Sequence, residues 1–170
     1  TLTTINVHSS SRGGSDPLWG DTQPPANAGE GRRIDQAEAV KAYVNDQLAT
    51  NPSLNIAVLG DFNGFYFEEE QRVLTGDGVL TNLNQLLPEE ERYSYMFEGN
   101  AQQLDNILVT AGLYANAQYD AVHINSQFGG DRPTDHDPEL ALFSFVPPNA
   151  APVAAVDAAA VDEDASTGSL

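Results

Sequence analysis

At 170 residues and 18.2 kDa the chain suits one domain with one sizeable core; its 41% hydrophobic content and mean hydropathy of −0.34 read as globular, and no apolar run approaches a membrane span. It has no Cys, which excludes a disulfide scaffold, a Cys-ligated zinc site and a thiol nucleophile. With 25 acidic against 7 basic residues the net charge is −18, which excludes a protein that coats nucleic acid through a basic surface, but not an acidic enzyme whose polyanionic substrate is neutralised locally by divalent metals and a few arginines.

The first segment, Thr1–His8, alternates as a strand, with Ile5 and Val7 on one face and Asn6 and His8 on the other. It has neither a Met start nor a signal-type run, so the chain is expected to begin mid-domain. Residues 9–31 are rich in Gly, Pro and Ser and form a long loop, of the kind that is functional in compact domains. Arg32–Thr50 places Ile34, Ala37, Val40, Val44 and Leu48 at helical spacing, and Asn51-Pro52 ends that helix. Asn55–Leu59 is a short apolar run fit for a strand buried on both faces, stopped by the turn-rich Gly60-Asp61-Phe62-Asn63-Gly64.

A short helix is expected over Glu68–Leu74, and another turn or two around Leu80–Leu87 before Pro88. Tyr93, Tyr95 and Phe97 alternate as a strand and read as sheet core rather than a stacking platform. Leu104–Thr110, Ala117–Asn125 and Leu140–Val146 are three further strands. The polar loop Ser126–Pro138 carries Asp135-His136-Asp137. Thr75-Gly76-Asp77-Gly78 lacks the further acids of a calcium loop and reads as a turn. From Pro147 the composition shifts to Pro, Ala, Asp and small polar residues, a linker leading toward a further module. The mixture of strands and helices without a regular βαβ cadence points to α/β (α+β) architecture, a layered sandwich.

Chemistry-bearing groups recur at strand ends: His8 closes the first strand, Asp61 and Asn63 follow the second, Asp105 lies in an otherwise apolar third, and Asp135 and His136 precede the last. Singly, each has a plain structural explanation: a solvated histidine, or Asp and Asn bonding their own backbone in turns. Asp105, among Leu104, Ile107, Leu108 and Val109, is costly to bury unless paired. Together they supply hard oxygen donors and imidazoles without a recognisable Ser or Cys nucleophile. That set suits Mg2+, Mn2+ or Ca2+ and metal-activated water acting on a phosphoester. Arg12, Arg32 and Arg132, in or beside these loops, are candidate contacts to substrate phosphate, although arginines commonly sit on loops in any case.

The ordered set NVH, GDFN, LDN and TDHDP resembles the endonuclease/exonuclease/phosphatase family of pancreatic deoxyribonuclease, apurinic-site endonucleases, neutral sphingomyelinases and inositol-polyphosphate phosphatases. The stretches Gln36–Val40 and Tyr93–Gly99 are similar to a bacterial extracellular nuclease-like branch, and the resemblance covers residues 1–146. It implies a four-layered α/β sandwich of two packed sheets with the site at one edge. It implies that Asp61 holds or deprotonates the attacking water, that Asn63 orients it, and that Asp135 and Asp61 help to bind metal. His136 would contact the scissile phosphate with its tautomer fixed and its pKa raised by Asp105, and His8 would be a general acid or phosphate ligand.

The family's principal metal-binding glutamate lies in the part of the domain that precedes this chain's first residue, so the N-terminal half is expected to be absent and the isolated chain poorly stable and inactive. Asn106 stands where many relatives have His, and no element for reading base sequence is visible. The function expected is that of a metal-dependent phosphodiester hydrolase, a secreted bacterial nuclease acting on DNA rather than RNA, with no obligate protein partner inferable. The alternatives are a phosphomonoesterase or sphingomyelinase-type enzyme of the same fold, or a truncated, non-catalytic adhesion module. The tail's Val156–Asp164 favours the last through its likeness to the entry of cadherin-like repeats.

Overall fold

The computed structural model describes residues 1–145, so the expected linker from Pro147 lies outside the described residues. The elements run β1 (Leu2–His8), α1 (Glu30–Thr50), β2 (Asn55–Asp61), α2 (Glu69–Thr75), β3 (Thr81–Asn82), β4 (Tyr95–Phe97), β5 (Asn100–Gln102), β6 (Asp105–Val109), α3 (Ala111–Tyr114), β7 (Gln118–Ala121) and β8 (Glu139–Leu142). A four-stranded sheet has the order β1-β2-β6-β3, and β4-β5 and β7-β8 form two separate hairpins. β1 and β2 are parallel because α1 crosses over between them, whereas β6 runs antiparallel to β2.

Both faces of this sheet are covered. On one face Ile56, Val58 and Leu108 pack against Ala37 and Val44 of α1 and Leu74 of α2. On the other, Ala57, Ile107 and Val109 pack with Leu83, with Leu113 of α3 and with Tyr119 and Ala141 of the β7-β8 hairpin. The alternation of β2 therefore serves two cores at once, which is why it reads as a continuous apolar run. On the β7-β8 hairpin, Leu140 and Leu142, on the outward face of β8, are about half exposed.

Three elements depart from the expectation. The region expected to be helical around Leu80–Leu87 is the two-residue strand β3 followed by a 3-10 turn over Leu83–Leu86. Asn82 starts that turn, its side chain accepting from the Asn84 N–H at 3.0 Å. β5 returns along β4 through Glu98-Gly99, both at positive φ. The last strand stops at Leu142 rather than continuing to Val146.

Candidate active site

Strand register builds the site. His8 is paired with Asp61, and Asp61 with Asp105, so the ends of β1, β2 and β6 set the three side by side along one sheet edge. Gly60, still inside β2, has φ 133° and lies close against β1; a Cβ on it would come within 2.1 Å of the Val7 carbonyl oxygen. Asn63 takes the left-handed conformation that Asn tolerates, with φ 50°. Its backbone N–H donates to Asp61 Oδ1 at 2.8 Å and its Nδ2 to Asp61 Oδ2 at 3.0 Å and to the Ser9 carbonyl at 3.1 Å. Burial raises the Asp61 pKa, the Asn63 backbone donor opposes this, and the neighbouring Asp105 charge adds to the rise.

Asp105 receives the fourth member of the cluster. His136 Nδ1 lies 2.5 Å from Asp105 Oδ2, which leaves Nε2 without a protein partner among the described residues. This hydrogen bond raises the His136 pKa; burial opposes it, and the charges of Asp105, Asp61 and Asp135 reinforce it. The Tyr95 ring lies 4.7 Å from the His136 ring. Ser94, fully buried, donates its hydroxyl to Asp105 Oδ2 at 2.6 Å and accepts from the Asp105 backbone N–H at 3.0 Å. Ser94 and Tyr95 carry no site signal in the sequence beyond the alternation of the Tyr93–Phe97 segment.

The loop that carries His136 hangs on Asp137. That buried carboxylate accepts backbone N–H bonds from Ile124, Asn125 and Ser126 at 2.7–3.1 Å, the Ser126 hydroxyl, and His123 at 3.0 Å. Burial alone would raise its pKa, but these donors outweigh burial and hold it at about 2. Asp137 thus anchors the loop, and its neighbour Asp135 is exposed beside the site.

The three arginines have different surroundings. Arg12 donates to Glu68 at 2.6 Å and lies over the Phe65 ring, and Arg132 donates to the carbonyls of Asn125, Ser126 and Phe128, so both guanidinium groups are engaged inside the protein. Arg32 is exposed, with no hydrogen bond or ion pair among the described residues. Asn106, in the position where a His was expected in relatives, accepts from Asn82, Asn84 and Gln103 in a buried carboxamide network.

Among the described residues no group of three or more His, Asp or Glu side chains is placed to hold a metal ion. Asp61 and Asp135 offer hard oxygens of the right kind for Mg2+ or Mn2+, but these residues do not by themselves make a metal-ion shell. Nor is any helix of the described residues long and apolar enough to cross a membrane.

No family model matches the sequence, and no curated protein does. Solved structures match it in fold. A truncated Caenorhabditis elegans TDP2 superposes with a TM-score of 0.61 at 14% identity, over 84% of this chain and 54% of its own. An endonuclease/exonuclease/phosphatase family protein from Bacteroides thetaiotaomicron gives 0.50 at 20% identity, over 67% of this chain and 46% of its own. The fold is that of the endonuclease/exonuclease/phosphatase proteins. Sphingomyelinase C from Streptomyces griseocarneus shares this fold, with a TM-score of 0.51 at 17% identity over 81% of this chain and 51% of its own. The chain spans about half the length of these structures.

Proposed function

We propose that the chain carries one edge of the active site of a secreted bacterial phosphodiester hydrolase of the endonuclease/exonuclease/phosphatase family, a nuclease acting on DNA with Mg2+ or Mn2+. The observation that carries this reading is the row His8, Asp61, Asp105 with His136 docked on it: two imidazoles and two carboxylates on one strand edge, with no serine or cysteine nucleophile among them.

Each group has a task that its surroundings favour. Asp61, its carboxylate oriented by Asn63, accepts a proton from the attacking water, and the raised pKa makes it a better base than a solvated carboxylate. His136, protonated more readily because of Asp105, offers its Nε2–H to a non-bridging phosphate oxygen as charge builds there. The new P–O bond forms as the ester P–O bond opposite it breaks. The leaving oxygen takes a proton from His8, which is 77% exposed at its side chain and 3.6 Å from Asp61. Titanic charge repulsion between a −18 chain and a polyanion must be offset at the site, which is the contribution a divalent cation would make.

The substrate class is tested by supplying DNA, a sphingomyelin-type phospholipid and an inositol phosphate to a polypeptide extended at its N-terminus, under one Mg2+ condition, and measuring product release. The proposal expects release from DNA, abolished by EDTA. Release from the lipid or the sugar phosphate alone would replace the nuclease reading with another phosphoesterase of this fold, and release from none would favour a non-catalytic module.

A further inference from the structure

Beside the catalytic edge lies a cavity of about 1120 Å³ that the reactions above do not use. Its rim is aromatic: Trp19, Tyr66, Phe67 and Phe97 line it, and all four are exposed, Trp19 by 88%. Its wall also carries uncharged carboxamides, among them Gln85 and Gln102, whose side chains make no hydrogen bond among the described residues.

Two series of rings join the cavity to the site. On one side His136 meets Tyr95 at 4.7 Å, and Tyr95 is stacked with Phe97 at 6.4 Å. On the other, Phe65, two residues beyond Asn63, is stacked with Phe67 at 5.5 Å, and Phe67 meets Tyr66 edge-on. The cavity offers little to a phosphate. Of its charged lining residues, Glu89 and Glu98 are acidic, and Arg92 donates to the carbonyls of Leu87 and Gln85. Flat apolar faces combined with neutral groups that both donate and accept suit a planar heterocycle with an amide-like edge.

We infer that this cavity takes an unpaired nucleobase next to the phosphodiester that is cut, so that the substrate is a single strand rather than a duplex. This deepens the phosphodiesterase reading and rests on it. In a duplex the base faces are stacked and the Watson–Crick edges occupied; in a single strand both are available to aromatic rings and carboxamides. A pocket that grips bases through uncharged contacts also gives a −18 chain a hold on a polyanion without a basic surface.

Trp19 is the chain's one tryptophan and reports on the rim directly. In EDTA, its fluorescence is titrated with a single-stranded oligothymidylate, an abasic oligomer of equal length, the matching duplex and a neutral oligosaccharide. Saturable quenching by the oligothymidylate is expected, about tenfold tighter than by the abasic oligomer or the duplex. Affinity should hold or rise as salt is raised from low ionic strength, because screening relieves repulsion while the stacking contact is uncharged. Phe97→Ala, at an exposed position, should weaken binding about tenfold, and Gln102→Met should weaken it in the same direction.

Equal binding of the abasic oligomer, quenching by the oligosaccharide alone, or no quenching at all would overturn the inference. DNA hydrolysis with Mg2+ is measured on a polypeptide extended at its N-terminus. Hydrolysis without quenching would overturn the cavity assignment and leave the phosphodiesterase reading standing; quenching without hydrolysis would uphold the cavity and overturn that reading.

Discussion

The two histidines of the site sit in opposite surroundings. His136 is bonded to Asp105, faces the Tyr95 ring, and rides on a loop pinned by Asp137; Asp105 in turn is held by Ser94. His8 ends an edge strand, has a side chain 77% exposed, and among the described residues its imidazole approaches Asp61 alone, at 3.6 Å. On the proposed mechanism this contrast divides the labour: the group that must meet developing charge in one geometry is fixed by several elements, whereas the group that delivers a proton to a departing atom needs access more than rigidity.

Removing the braced imidazole should have the largest effect. His136→Ala is expected to lower phosphodiester hydrolysis by about 10³-fold, the range of a positioned acid or base, in single-turnover assays with the fold checked by circular dichroism. Next is the loop's anchor. Asp137→Ala leaves two buried backbone N–H groups, those of Asn125 and Ser126, without their acceptor and should cost about 3 kcal/mol of stability, read by urea unfolding.

The Asp105 contact is tested through pH. The reading needs Asp61 ionised and His136 protonated, and both pKa values are raised, so the rate profile should have an acid limb above 3.8 and an alkaline limb above 6.5. Asp105→Asn removes the largest cause of the rise in His136, so the alkaline limb should move to lower pH. The same pairing stabilises the fold fully below pH 6.5, and that contribution is lost as pH rises through the raised value; equilibrium unfolding of the two proteins across that window should converge at high pH.

Smaller effects sharpen the contrast. Ser94→Ala removes a hydrogen bond to a charged carboxylate and should slow hydrolysis about tenfold, with substrate affinity unchanged. His8→Ala should slow it by less than about tenfold with a good leaving group such as p-nitrophenolate, and by more with an alkoxide, which needs the proton. If His8→Ala proved as damaging as His136→Ala with both leaving groups, the division of labour between them would fail.

Much of this was legible in the sequence wherever one residue type answers to one constraint. The alternation of Thr1–His8 and the apolar run at Asn55 set β1 and β2, and the GDFN turn places Asp61 and Asn63. Asp105 was suspect because a lone carboxylate in an apolar strand needs a partner, and the partner is His136. What escaped depends on three-dimensional neighbours. Ser94 is one small residue between two tyrosines, and its bond to Asp105 follows from the β4-β5 hairpin. The two acids of Asp135-His136-Asp137 look equivalent in sequence, yet one is exposed and the other is the buried anchor. The inward commitments of Arg12 and Arg132 were hidden for the same reason, and β3, β5 and α3 are too short to show a period.

The most direct test is plasmid nicking with Mg2+ or Mn2+, using the 170-residue chain and a polypeptide extended at its N-terminus, each as wild type and as His136→Ala, with EDTA controls. The account predicts metal-dependent nicking by the extended wild type that His136→Ala abolishes. Nicking that survives His136→Ala, or none from either wild-type protein, would contradict it.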